Sequence, residues 1–159
     1  MAPIYQPPVP FSLNVSNGAT GGPFAGFQCA DVNLTSAQIT ALVGTSVTLV
    51  AAPGAGYMIV PHLIIVRVAG VTAAYTDAGG AVSFAVGSMS NALAANTVFT
   101  GPTAGQQSQQ LVQFAGTSTA ANPSTNVNAA LVISKATNNF AAGSGTAHIT
   151  TYYTIESAS

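Results

Sequence analysis

"YMIVPHLIIVRV", residues 57–68, holds nine apolar residues out of twelve, together with Pro61, His62 and one charge at Arg67. Three structures compete for such a run: a membrane span, a buried strand or an adhesive surface strip. A spanning helix needs about 20 consecutive apolar residues. This run is shorter, is interrupted by Pro61, and is bounded by "APGAG" and "AGVTAAY". Ile59, Val60, Ile64, Ile65, Val66 and Val68 are β-branched, which suits a pleated strand. Apolarity at nearly every position, rather than at every second one, predicts burial on both faces. Pro61 has no N–H for a ladder and belongs at a strand start, an edge or a bulge. His62 reads as a hydrogen-bonded structural histidine, because no second metal ligand lies near it in sequence.

Outward from this run the pattern is strand, turn, strand. "TSVTLVAA" precedes it and ends at the turn "PGAGY". After it, "VTAAYTDAGGAVSFAVGS" reads as a strand, a turn at residues 77–80, and a strand in which Val82, Phe84 and Val86 alternate with smaller residues. "NTVFT", "QQLVQFAG" and "VNAALVISKA" add further strands, separated by polar loops. The last, "GTAHITTYYTIE", sets His148, Thr150, Tyr152 and Thr154 on one face and Ile149, Thr151, Tyr153 and Ile155 on the other. One helix is expected, at about 35–43. In "LTSAQITALVG", Thr35 or Ser36 can cap the helix, Thr35 with Gln38 fits a capping box, Leu34, Ile39 and Leu42 supply an apolar side, and Gly44 can stop it. Seven to nine short strands with one helix predict a mainly β protein, a β-sandwich or jelly-roll.

Residues 1–28 differ from the rest and are expected to form an arm and a turn-rich linker ahead of one β domain at 29–159. "APIYQPPVPF" carries four prolines in ten residues, which favours an extended polyproline-like backbone. Ile4, Tyr5, Val9 and Phe11 are spaced along it, and "NGATGGPFAGF" follows. These four side chains are the candidate partner-binding residues; the competing reading is a frayed terminus.

Composition narrows the function. The chain has 159 residues, of which 48% are hydrophobic and 3% charged, with a net charge of −1. Disordered chains show the reverse balance. Only Asp31, Arg67, Asp77, Lys135 and Glu156 are formally ionised, so charge repulsion does little to keep molecules apart and self-association is expected. Two cations cannot neutralise a row of phosphates, which argues against nucleic-acid binding. No membrane association is expected either. An outer-membrane barrel would share the low charge, but "MAPIYQPPVPF" lacks the basic and apolar regions of an export signal, so synthesis in a cytoplasm is expected. Cys29 is the one cysteine; it excludes an intrachain disulfide and is expected as a small buried hydrophobe. "APGAGY" lacks the Gly-Lys-Ser/Thr ending of a phosphate loop, and "GSGTAH" lacks the spacing of a nucleophile elbow. The three acidic residues are scattered, which fits neither a calcium site nor a cleft rich in orienting groups. No catalytic residue, cofactor or metal is therefore assigned.

The stretch "LTSAQITALVGTSVTLVAAPGAGYMIVPHLIIVRVAGVTAAYTDAGGAVSFAVGS", residues 34–88, resembles small structural proteins encoded in tailed-bacteriophage virion gene clusters. In that group a helix like "LTSAQITAL" precedes a strand like "TSVTLVAAPGAGY", a long apolar strand and a "G-x-T-A-A-Y-T…GG" segment. No residue in the match has a chemical role to transfer. The resemblance implies a capsid decoration, or cement, protein. Such a protein is a compact β domain that forms trimers on the capsid exterior and bridges subunits of the major capsid protein. A tail or fibre module is the alternative; it would bind a host-surface glycan or receptor through exposed rings such as Phe140, Tyr152 or Tyr153.

Overall fold

The computed structural model describes residues 26–93, 96–114 and 123–158. The candidate arm residues Ile4, Tyr5, Val9 and Phe11, and nearly all of the expected 1–28 unit, lie outside the described residues.

The apolar run is one long strand, β3 (Tyr57–Ala69), and its neighbours define the fold. Around it stand β1 (Gln28–Leu34), β2 (Val47–Val50), β4 (Thr76–Asp77), β5 (Val82–Val86), β6 (Met89–Ala92), β7 (Ser108–Gln113), β8 (Leu131–Lys135), β9 (Phe140–Ala141) and β10 (Thr146–Ser157). One four-stranded sheet has the order β1-β10-β3-β7 and a second the order β2-β8-β5-β6, while β4 and β9 pair apart from both. Every pairing between these strands is antiparallel. The chain passes repeatedly between the two larger sheets, so strands distant in sequence become neighbours. Eight strands interleaved in this way make a jelly roll, the expected class. Strands β4 and β9, of two residues each, bring the described total to ten, just above the expected range.

The two larger sheets close on one core. Ile64, Val66 and Val68 of β3 and Ile149 of β10 meet Phe84 of β5 and Ile133 of β8, all without solvent exposure. Ile149, Thr151 and Tyr153 of β10 are buried on the inner face as expected, but burial does not alternate strictly, because Thr150 and Thr154 of the opposite face are also buried and Ile155 is half-buried. Thr151 Oγ1 is buried with no hydrogen-bond partner among the described residues.

Pro61 stays inside β3 because a bulge accommodates it. Tyr152 pairs with Leu63 and Tyr153 with Pro61, so His62 is the extra residue on β3. Within this sheet β7 reaches no further than Leu63, which leaves Pro61 with a ladder partner on one side only.

Burial of β3, however, is one-sided, against the expectation of two covered faces. Ile59, Pro61, Ile64, Val66 and Val68 are buried, whereas Val60, Leu63 and Ile65 are only half-buried and Arg67 is exposed. The described residues cover one face of this sheet and leave an apolar second face.

The helical segments also depart from the expectation. The capping box is present: Gln38 N–H donates to Thr35 Oγ1 at 3.3 Å and Thr35 N–H to Gln38 Oε1 at 2.9 Å. Yet α1 (Ser36–Ile39) is one turn long rather than extending to 43. Tertiary partners take the groups a second turn would have used. Val43 N–H donates to the Asn139 side chain at 2.7 Å, and the Leu42 carbonyl accepts from Lys135 N–H at 3.1 Å. "NTVFT", expected as a strand, forms α2 (Thr97–Thr100), which buries the adjacent residues Val98 and Phe99 together; consecutive strand residues would face opposite ways. A further turn, α3 (Pro123–Asn126), precedes β8.

Candidate interaction face

The chain's few charges divide into an internal pair and an external group. Lys135 is inside, its side chain 0% exposed, with Nζ 2.9 Å from Asp77 Oδ1. Its ammonium also donates to the carbonyls of Gly79, Thr137 (3.0 Å) and Asn138 (2.7 Å) and lies 5.0 Å from the Phe140 ring centroid. Asn96 Nδ2 donates to Asp77 Oδ2 at 2.6 Å. The Asn96 amide foremost, then Lys135 and the Gly79 N–H, hold the Asp77 carboxyl below its ordinary range. This cluster fastens the 77–80 turn to the loop after β8. Gly80 has φ +88°, and a Cβ there would meet the Thr137 carbonyl at 2.3 Å, so the approach requires glycine. The cluster is structural, and sequence reading, which saw Asp77 and Lys135 only as separate charges, missed it.

The other three charges, Asp31, Arg67 and Glu156, lie on the outer face of the β1-β10-β3-β7 sheet. The register sets them there in rows. Asn33, His148, Arg67 and Gln109 form one row, Asp31, Thr150, Ile65 and Leu111 the next, and Cys29, Tyr152, Leu63 and Gln113 a third. Thr154 and Val60, then Glu156 and Met58, continue it across β10 and β3. An apolar patch runs through this face, built from Val60, Leu63, Ile65 and Tyr152 on the central strands and Leu111 on the edge strand β7. Leu111 is 56% and Tyr152 37% exposed, and Phe27, which leads into β1, is 59% exposed.

Polar side chains hold the edges in place by hydrogen bonding. Thr150 Oγ1 donates to Asp31 Oδ1 at 2.6 Å, and His148 Nε2 lies 3.2 Å from the same oxygen. Arg67 Nε donates to Gln109 Oε1 at 2.9 Å. Thr154 Oγ1 donates to Glu156 Oε1 at 3.1 Å, so His62 Nε2, 3.1 Å from that hydroxyl, acts as its donor. Phe27 packs on the His62 ring with centroids 4.8 Å apart. His62 thus has the hydrogen-bonded role expected of it. Cys29 does not: it is exposed on this face rather than buried, because β1 is an edge strand whose outer positions have a neighbour on one side only. Partial burial and the Asp31 charge push its thiol pKa up.

An apolar patch flanked by polar, hydrogen-bonded side chains is a composition that protein contact surfaces share. Among the described residues no group of three His, Cys, Asp or Glu side chains is placed to hold a metal. A shallow open groove beside α1, lined by Ala37, Gln38, Ala41, Ser46 and Thr48, contains no ionisable group. Of the three rings considered for glycan binding, Tyr152 is exposed, whereas Phe140 is 2% and Tyr153 9% exposed and both face the core. The alternation in "GTAHITTYYTIE" identified the β10 share of this face, His148, Thr150, Tyr152 and Thr154. The gathering of Asp31, Arg67 and Glu156 depends on long-range register, which no local signal carries.

No protein-family model matches the chain, and no curated protein matches it. Two solved structures resemble it. A chain of the cyanophage Pam1 capsid asymmetric unit is 20% identical, covering 92% of this chain and 99% of that one at a TM-score of 0.36. A chain of the mud crab tombus-like virus structure is 12% identical, covering 99% of this chain and 93% of that one at a TM-score of 0.27.

Proposed function

We propose that this chain is a non-catalytic structural protein of a bacteriophage virion, a decoration or cement protein that binds the capsid exterior and bridges subunits of the major capsid protein. The observation that carries the reading is the outer face of the β1-β10-β3-β7 sheet. A strand apolar on both sides has one side left open, and every charge not paired internally is gathered around it. The resemblance over residues 34–88 supplies the phage setting. Jelly rolls serve viral capsids and lectins alike, so the fold does not choose between functions and the surface has to.

The physics of such a role is contact without chemistry. Burying the apolar patch contributes roughly 25 cal/mol per Å² before the cost of association. The Thr, Asn and Gln side chains around it offer hydrogen bonds that salt does not screen as it screens exposed ion pairs. A charge-poor chain that would self-associate in solution is well suited to a symmetric array, and we assign it a homotrimer there, made in the host cytoplasm before it joins the capsid. Ile4, Tyr5, Val9 and Phe11 are the arm side chains we assign to bridging a neighbouring subunit. Exposed Tyr152 beside hydrogen-bonding side chains also suits a glycan, which keeps a tail or fibre module as the second reading.

The test is light scattering across a dilution series with co-sedimentation on purified capsids. A stable trimer that sediments with capsids supports the proposal, as does weakened binding, with the fold intact, on deletion of residues 1–11. A monomer that ignores capsids but binds host-surface glycan moves the assignment to the tail module. Unchanged capsid binding by the deletion removes the arm from the mechanism.

A further inference from the structure

A strand at the rim of a sheet presents backbone N–H and C=O groups with no ladder partner, and soluble proteins block such rims with charge, proline, bulges or shortness. The two larger sheets have four rims, at β1, β7, β2 and β6. Strand β1 carries the exposed carboxylate of Asp31. Strands β2 and β6 are four residues long, and the register of β2 with β8 is irregular. Strand β7, "SQQLVQ", has six residues without charge or proline, and it pairs with β3 from Ser108 to Gln113 without a bulge. Its Leu111 is the most exposed large hydrophobic residue in any described strand. We propose that β7 pairs with β7 of a second copy about a two-fold axis at Leu111, joining two β1-β10-β3-β7 sheets edge to edge.

Symmetry and side-chain pattern select this occupant and this register. A two-fold axis perpendicular to the sheet makes the paired strands antiparallel, keeps the outer faces on one side, and uses the same patch on both copies. With the axis at Leu111, the two Leu111 side chains meet on the outer face and Gln109 lies opposite Gln113. Moving the axis to Gln110 would set each Leu111 against Gln109 and leave the apolar cross-strand pair unmade. No like charges oppose one another, because β7 has no ionisable side chain and Arg67, one strand inward, is held by Gln109 Oε1. Asn91 Nδ2 donates to the Gln113 carbonyl at 2.6 Å, which ties this end of β7 to β6 and leaves the carbonyl a second lone pair. A strand of this length is about 20 Å long, and a strip of it about 10 Å wide, one sheet spacing, buries roughly 400 Å² over two copies. Stable interfaces bury roughly 1,200 Å² or more, so the pairing is weak between free molecules and becomes effective where copies are already held side by side. It is distinct from the homotrimer assigned above, and in an array it links one trimer to the next; that consequence rests on the capsid reading, whereas the pairing itself does not.

Disulfide trapping in the free full-length chain reads the register directly. Cys29→Ser removes the native thiol, and cysteines are then placed at exposed positions of β7. Leu111→Cys sets two thiols opposite one another with Cα atoms about 4.5–5.5 Å apart, within disulfide reach. Gln109→Cys sets them four residues apart along the paired strands, roughly 14 Å and beyond reach. At high protein concentration under mild oxidation, Leu111→Cys should form covalent dimer about tenfold faster than Gln109→Cys. The double variant Gln109→Cys/Gln113→Cys should regain the fast rate, with circular dichroism confirming the fold of each variant. Equal rates in the two single variants, or no dimer from Leu111→Cys, would overturn the proposal. No capsid is present in this experiment, so its failure leaves the capsid reading to its own test.

Discussion

Lys135→Met is the perturbation whose cost can be worked most fully from the structure. Methionine keeps an unbranched stem while removing the ammonium, which lies 5.0 Å from the Phe140 ring centroid. The change breaks the 2.9 Å pair with Asp77 and takes the donor from the carbonyls of Gly79, Thr137 and Asn138. Removing one member of a buried pair costs about 3–5 kcal/mol, and each buried acceptor left unpaired about 1–3 kcal/mol. Asp77 retains the Asn96 amide and the Gly79 N–H, and its side chain is 19% exposed, so water can replace part of what is lost. The lower end applies, about 3 kcal/mol. That is a large share of the roughly 5–15 kcal/mol of a typical domain, yet it leaves the chain folded. For a protein of this size 1 kcal/mol moves Tm by about 2–4 °C, so Tm should fall by about 6–12 °C. Scanning calorimetry near neutral pH measures it, and the double variant with Asp77→Asn should lose less than the sum of the two single changes. A Tm within about 2 °C of the parent would refute the interior role of Lys135.

Three further expectations follow from individual contacts. The folded Asp77 pKa lies below its unfolded value, so the stability it contributes is complete above the ordinary carboxylate range and is lost as pH falls from about 4 through the folded pKa; in acid titrations followed by Tm, Asp77→Asn should flatten that part of the slope. Gly143→Ala should cost more than about 1 kcal/mol in urea unfolding, because Gly143 has φ +91° and an added Cβ would sit 2.4 Å from the Tyr75 ring. Thr151→Val replaces a hydroxyl that has no partner among the described residues with a methyl of similar shape, and should raise stability by about 1 kcal/mol in the same assay.

Sequence carried the fold class because its signals are local. Alternation in β10, the capping box at Thr35 and Gln38, and the proline-induced irregularity in β3 all depend on neighbouring residues. What failed depended on tertiary competition. The second turn of α1 gave way to bonds from Asn139 and Lys135, and "NTVFT" became a helical turn because Val98 and Phe99 are buried together. The site divides along the same line. The polar face of β10 could be read from alternation, whereas the meeting of Asp31 with Thr150, and of Arg67 with Gln109, follows from pairing strands far apart in the chain. The expectation that β3 is covered on both sides failed because apolarity alone does not say what covers each face: the described residues bury Ile64, Val66 and Val68 and leave Leu63 and Ile65 half-buried.

Sedimentation of the full-length chain with capsids, beside a Leu111→Asp/Tyr152→Asp variant, tests the central claim most directly. Both side chains are exposed, so the variant should keep the parent's circular dichroism and Tm. The account predicts that the parent pellets with capsids in a saturable ratio and the variant stays in the supernatant. Equal pelleting of the two, or a parent that never pellets, would contradict the assignment of this sheet face to the capsid.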